Sequence, residues 1–206
     1  MSARLGHSVI IPGEVGDIEA CLHAVEGSKA LAVVCHPHPL HQGTMNNKVV
    51  MALTYAMLQA GISVIRFNYR GVGKSAGQYG NIFGEVNDAQ TVGSWASAHL
   101  GVPISHWAGF SFGSFVAAKQ VTSGQQLIMV APAVKNMPFE QLTSHSNTLV
   151  IMATDDEVVS YSDVKDYLQS GYTGDQIILN KGGHFFHGRT VHVRELVCAW
   201  LCNSAG

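Results

Sequence analysis

Apolar residues in this chain fall into two kinds of run. Near the start, residues 17–25 alternate, with Ile18, Ala20, Leu22 and Ala24 in phase. That is the pattern of a half-buried antiparallel strand, whose successive side chains point to opposite faces. Residues 8–12 form a companion run, and the glycine-bounded stretch 13–16 between them reads as a hairpin turn. From residue 30 onward the character changes. Residues 30–35, 62–67, 104–108, 126–131, 148–153 and 176–179 are nearly all apolar. Short unbroken apolar runs suit strands covered on both faces, as in a parallel sheet flanked by helices.

Helix-length segments separate these runs. Residues 47–60 carry Val49, Val50, Leu53 and Met57 at helical spacing, with Asn47 as N-cap and Gly61 just past the end. Residues 85–100 and 112–121 also suit helices. Ser160-x-x-Asp163 has the form of a capping box before a short helix, and 189–201 reads as an amphipathic closing helix. Strand–helix alternation predicts an α/β fold: a doubly wound, mostly parallel sheet led by an N-terminal antiparallel hairpin. A single domain over 1–206 is expected. Ligands of such sheets bind at the carboxyl ends of the strands, so the loops there are where chemistry is sought.

Composition narrows the functional classes. The 206 residues are 47% hydrophobic and only 13% charged, with a net charge of −2. Disorder is excluded by that balance. Nucleic-acid binding lacks the basic surplus that phosphate neutralisation needs. No apolar run reaches the length of a membrane helix, and the N-terminus has no apolar core of a signal peptide. Cys21, Cys35, Cys198 and Cys202 form no C-x-x-C pair, and the last two, four apart on a helix, read as core filling. A reduced, cytoplasmic protein is expected.

The pattern G-x-S-x-G, which marks a serine on a sharp strand-to-helix turn, occurs twice, around Ser75 and Ser111. Ser111 follows the apolar run 104–108 and precedes a helical segment, as the turn requires. Ser75 follows a loop and precedes Gly77 and Gly80, which break helices. Ser111 is therefore the candidate nucleophile. A serine hydroxyl needs a base to take its proton and a carboxylate to hold that base. Downstream, the run 148–153 ends in Thr154-Asp155-Asp156-Glu157, at the catalytic edge of the sheet. The run 176–179 ends in a glycine-rich loop holding His184 and His187. On an extended segment Asp155 and Asp156 point opposite ways, and both histidines lie on the same loop, so spacing alone leaves these pairs open.

Taken together, His36-Pro37-His38-Pro39-Leu40, the segment 67–75, Gly109–Gly113, Asp156-Glu157-Val158-Val159 and Gly183-His184-Phe185-Phe186 resemble the α/β-hydrolase superfamily over essentially the whole chain. Within it the chain is most similar to small, compact serine hydrolases carrying a His-Pro-His-Pro motif. The resemblance implies Asp156 as the acid and His184 as the base. For the oxyanion, one donor is the backbone N–H after the nucleophile, Phe112. The other is expected from the loop after 30–35, where Pro37 and Pro39 have no N–H and His38 does. The resemblance implies the same position.

Two competing motifs fall short. His36, His38 and His41 have H-x-H-x2-H spacing, but no nearby carboxylate joins them, so metal is not expected and no cofactor is required. Gly71-Val72-Gly73-Lys74-Ser75 looks like the end of a phosphate-binding loop, yet Asn68 stands where its first glycine belongs. The expected reaction is hydrolysis of a small-molecule acyl ester. A thioesterase, lactonase or peptidase would use the same residues, and a non-catalytic scaffold of the same fold is the alternative from another class. Only residues 134–147 separate two strands where a lid is usually inserted, so an open site is expected. Leu40, Met45, Phe112, Phe139 and Phe185 are its candidate apolar walls. The sequence leaves the oligomeric state open.

Overall fold

The structure, a computed structural model, describes residues 6–142 and 147–203. Strands β1 (His7–Gly13) and β2 (Gly16–His23) pair antiparallel, with only Glu14 and Val15 between the paired ends. The strands that follow are β3 (Leu31–Cys35), β4 (Ser63–Phe67), β5 (Ile104–Phe110), β6 (Gln126–Val130), β7 (Thr148–Ala153) and β8 (Asp175–Leu179). All eight form one sheet in the order β1-β2-β4-β3-β5-β6-β7-β8. β2 meets β4 antiparallel, and every later pairing is parallel. The predicted hairpin-led, mostly parallel sheet is therefore present.

Strand burial follows sheet position. Every residue of β3, β4 and β7 is buried, whereas the edge strand β8 is only partly covered. Between strands run α1 (Lys48–Gln59), α2 (Phe83–Leu100), α3 (Phe112–Ala118) and α4 (Tyr161–Gln169), with α5 (Thr190–Asn203) closing the described chain. α1 packs with α5 and α2 with α3, so apolar helix faces cover both sides of the central strands. The Asn47 side chain caps α1 by accepting from the Val49 N–H at 2.8 Å. Among the described residues, no helix is long and apolar enough to cross a membrane.

Three local expectations change. α2 begins at Phe83 rather than 85, because the Glu85 carboxylate folds back to accept from the Gly80 and Ile82 N–H groups at 2.8 and 2.9 Å. The box at Ser160 does not form: its hydroxyl pairs with that of Ser162 at 2.6 Å and makes no capping bond. Cys198 is half-buried and packs against the core, whereas Cys202 is exposed, so only one of this pair serves as core filling. The buried cysteines are Cys21 and Cys35. On a helix packed along one face, residues four apart near the end need not share the inward side.

The strand order decides where chemistry can occur. β3 and β5 are neighbours, so the loop after β3 and the turn after β5 emerge side by side. β7 and β8 are neighbours in the same way, so the carboxylates after β7 stand beside the glycine-rich loop after β8.

Candidate active site

Ser111 sits between β5 and α3 at φ 54° and ψ −117°, a conformation that disfavours any residue with a Cβ. It is held there by crowding that only glycine tolerates. A Cβ on Gly109 would lie 2.0 Å from the Gly113 carbonyl oxygen, and one on Gly113 would lie 2.3 Å from the Cys35 carbonyl oxygen. The turn is pinned further by the Ser111 N–H, which donates to the Val130 carbonyl at 2.8 Å. The Ser114 hydroxyl donates to the Gly109 carbonyl at 3.0 Å. The result is a buried serine presented at the start of a helix.

His184 Nε2 lies 3.1 Å from Ser111 Oγ, and its Nδ1 lies 2.9 Å from Asp156 Oδ2. With the carboxylate accepting from Nδ1–H, the Nε2 lone pair is left to accept the serine proton. The other Asp156 oxygen accepts from the Val158 and Val159 N–H groups at 2.9 and 2.7 Å. All three consecutive carboxylates hold the histidine loop. Asp155 accepts from the Gly182 and Gly183 N–H groups at 2.8 and 2.9 Å, and Glu157 accepts from the His184 N–H at 3.0 Å. The Gly183 amide, aided by that of Gly182, holds the Asp155 carboxyl below its ordinary range. Asp155 thus faces loop backbone while Asp156 faces the imidazole. His187 is exposed and meets the site only through its ring, 5.8 Å from that of Phe185.

The loop after β3 lies against the start of α3, as the close approach of Gly113 to Cys35 and His36 requires. The His38 carbonyl accepts from the His41 and Gly43 N–H groups, both at 3.1 Å, which closes a tight turn. Its ring packs 4.8 Å from the Phe112 ring. Among the described residues, neither the His38 nor the Phe112 backbone N–H has a hydrogen-bond acceptor. His36 is fully buried: its Nδ1–H donates to the Pro37 carbonyl at 2.6 Å and its Nε2 accepts from the Tyr69 N–H at 3.1 Å. Burial pushes this imidazole down to about 3. Both of its nitrogens are thereby occupied by backbone. Among the described residues, no three His, Cys, Asp or Glu side chains are grouped to hold a metal.

Ser75 has a different setting. Its hydroxyl donates to the Asn68 carbonyl at 2.7 Å and accepts from the Glu19 N–H at 2.9 Å. The Glu19 carboxylate accepts in turn from the Lys74 N–H and the Asn68 amide at 2.9 and 2.8 Å. Nearby, Arg70 is locked to Asp88 at 2.8 Å. The Gly71–Ser75 segment is thus a braced turn, with its lysine in no position to open a helix.

The expected apolar walls divide. Leu40 is 65% exposed and Phe185 38% exposed, both on loops that frame Ser111. Phe112 is buried, its ring against those of His38 and Tyr69. Met45 and Phe139 are both buried. Met45 has its N–H donating to Asn68 Oδ1 and its carbonyl accepting from Arg66 Nη1. Phe139 is packed between Phe115 and Tyr167, its ring 5.3 and 5.4 Å from theirs, and it lines a separate depression of about 100 Å³ with Tyr167 and Tyr172. Two residues escaped the sequence reading. Glu157 serves through its contact with a backbone amide, which no motif records. Tyr79 lies with its ring 5.2 Å from His38 and 6.4 Å from Phe112. An aromatic residue set between Gly77 and Gly80 was its only signal.

No family model matches the chain. A protein of Rickettsia prowazekii, RP471, itself uncharacterized, is 33% identical over 201 residues, covering 86% of this chain and 81% of RP471. Among solved structures, XC6422 from Xanthomonas campestris, described as a member of the α/β serine hydrolases without a lid, is 30% identical. It superimposes with a TM-score of 0.90 over 97% of this chain and 94% of that one. An α/β serine hydrolase homologue from Coxiella burnetii is 39% identical, with a TM-score of 0.88 over 94% and 96% of the two chains.

Proposed function

Because this chain belongs to the α/β serine hydrolases that lack a lid, we propose that it hydrolyses carboxylic esters of small or exposed acyl groups through an acyl-enzyme on Ser111. The observation that carries this reading is the unbroken chain from Ser111 Oγ to His184 Nε2 at 3.1 Å and from His184 Nδ1 to Asp156 at 2.9 Å. It is assembled on a serine whose backbone is held at φ 54°.

In this reading His184 takes the hydroxyl proton as Ser111 Oγ bonds to the ester carbon. Asp156 holds the ring and stabilises the imidazolium. The oxyanion is met by the His38 and Phe112 N–H groups, which have no other acceptor among the described residues, and by the N-terminal end of α3. His184 then returns the proton to the departing alkoxide as the carbon–oxygen bond breaks. Water enters, gives its proton to His184 and attacks the acyl carbon. The acid leaves as Ser111 regains its proton. No cofactor enters these steps. The short connection between β6 and β7 supports substrates that reach an uncovered serine.

Hydrolysis of p-nitrophenyl acetate tests the proposal. The wild-type protein is expected to release nitrophenolate in a Ser111-dependent manner, with Ser111→Ala lowering kcat/KM on the order of a thousandfold or more. Equal rates in the two proteins, at matched folding, would overturn it.

A further inference from the structure

The loop that carries Tyr79 is held in an unfavourable shape. Asn81 and Ile82 lie in succession at φ 51° and 77°. For a β-branched residue this is a rare conformation, and such outliers persist only where surroundings enforce them. The enforcement is visible. The Glu85 carboxylate is completely buried and spends both oxygens on this loop, one on the Gly80 N–H at 2.8 Å and one on the Ile82 N–H at 2.9 Å. The Gly84 N–H closes the turn onto the Gly80 carbonyl at 3.1 Å. What this clamp delivers is one half-exposed ring, Tyr79, against the two residues whose N–H groups face the proposed oxyanion.

His184, 3.1 Å from Ser111 Oγ, carries the Phe185 ring 5.0 Å from its own. A departing alkoxide must lie beside His184, which gives it a proton. On the esterase reading the acyl group lies away from His184, and the rings nearest the proposed oxyanion donors are those of His38 and Tyr79, 5.2 Å apart with a tilt of 38°. Resting on the proposed esterase reading, we infer that Tyr79 and His38 form a fixed aromatic wall that selects acyl groups ending in a planar aromatic ring. Ring faces and edges carry opposite partial charge, so a planar partner gains an oriented contact that a saturated ring of equal size does not. A rigid wall also adds affinity because little ordering is left to occur on binding.

Ethyl phenylacetate and ethyl cyclohexylacetate test this. They share a leaving group and ring size, and in both a methylene insulates the carbonyl from the ring. The wild-type protein is expected to favour the phenyl ester in kcat/KM by about 2- to 12-fold. Tyr79→Phe should keep that ratio, because the π face remains. Tyr79→Leu, which keeps an apolar side chain without the π face, should bring the ratio close to one. A ratio near one in the wild type, or a preference that survives Tyr79→Leu, overturns the inference while Ser111-dependent ethyl acetate hydrolysis leaves the esterase reading standing. Absence of Ser111-dependent hydrolysis of all three esters overturns both.

Discussion

The two G-x-S-x-G segments are alike in letters and opposite in construction. Around Ser111, the outer glycines are needed for space: main chain from β3 and from the turn itself passes where a Cβ would be. Around Ser75, they are needed for shape, with Gly73 at φ 58° and Gly77 at φ 85°. Ser111 offers its hydroxyl to an imidazole, whereas the Ser75 hydroxyl is consumed as both donor and acceptor by backbone. A serine whose hydroxyl is satisfied on both counts stabilises a turn and has no base to activate it. The lesson is that the motif codes for backbone crowding or for turn geometry, and the flanking strand and helix decide which.

The largest expected contrast is in activity. Ser111→Ala should lower kcat/KM far more than any change at Ser75. Asp156→Asn should cost on the order of 10⁴ in kcat, because the imidazole then loses the partner that sets its tautomer. Asp155→Asn, which weakens a grip on the backbone beside His184, should cost no more than about 10²-fold. Steady-state ester hydrolysis of the three variants reads this directly.

Acid provides the next contrast, in stability. His36 ties the loop after β3 to the Tyr69 N–H, next to the Ser75 turn, and stays neutral in the folded protein down to about 3. In the unfolded chain the same imidazole takes a proton near about 6.5. The unfolded state therefore binds more protons between these values. Stability is complete above the upper one and falls as pH drops toward the lower one, by at most about 4–5 kcal/mol from this group. His106, which burial holds down to about 4, adds to the loss with the same sign. Denaturant titrations at neutral pH and at pH values stepping down to about 4 should show the decline.

Smaller effects separate the two turns by mechanism. Gly113→Ala must displace main chain that lies 2.3 Å from the new Cβ and should be more destabilising than Gly77→Ala, whose nearest obstacle is the movable Val15 side chain at 2.6 Å. The Gly77 variant should lose about 1–2 kcal/mol from its positive φ. Ser75→Ala should lose about 1–3 kcal/mol by leaving a buried acceptor and donor unpaired, with kcat/KM unchanged. Thermal or denaturant unfolding beside ester hydrolysis checks both halves of each statement.

Much of the fold was legible because its signals were regular. Unbroken apolar runs located the parallel strands, alternation located β2, and Asn47 with Gly61 bracketed α1. The candidate site was legible to the extent that strand order brings chain-distant loops together, so Ser111, Asp156 and His184 converge at hydrogen-bond distance. What escaped notice depends on main-chain partners and on packing. Asp155 and Glu157 act on amides, which carry no side-chain signature. Phe139 and Met45 looked suited to a pocket mouth because they are apolar, and both are buried, since apolar side chains sink wherever neighbouring elements leave room. For Phe139 that room lies between Phe115 and Tyr167. Tyr79 reached the site through the Glu85 clamp, a contact set by two residues at left-handed φ that nothing in their identities announces.

The difference between the two serines can be read chemically in one step. A fluorophosphonate probe reacts with a serine only when a neighbouring base activates it, and peptide mass spectrometry locates the adduct. The expected result is a single adduct on Ser111, retained in Ser75→Ala and lost in Ser111→Ala and His184→Ala. An adduct on Ser75, or labelling that persists without Ser111, would contradict the assignment of Ser111 as the nucleophile.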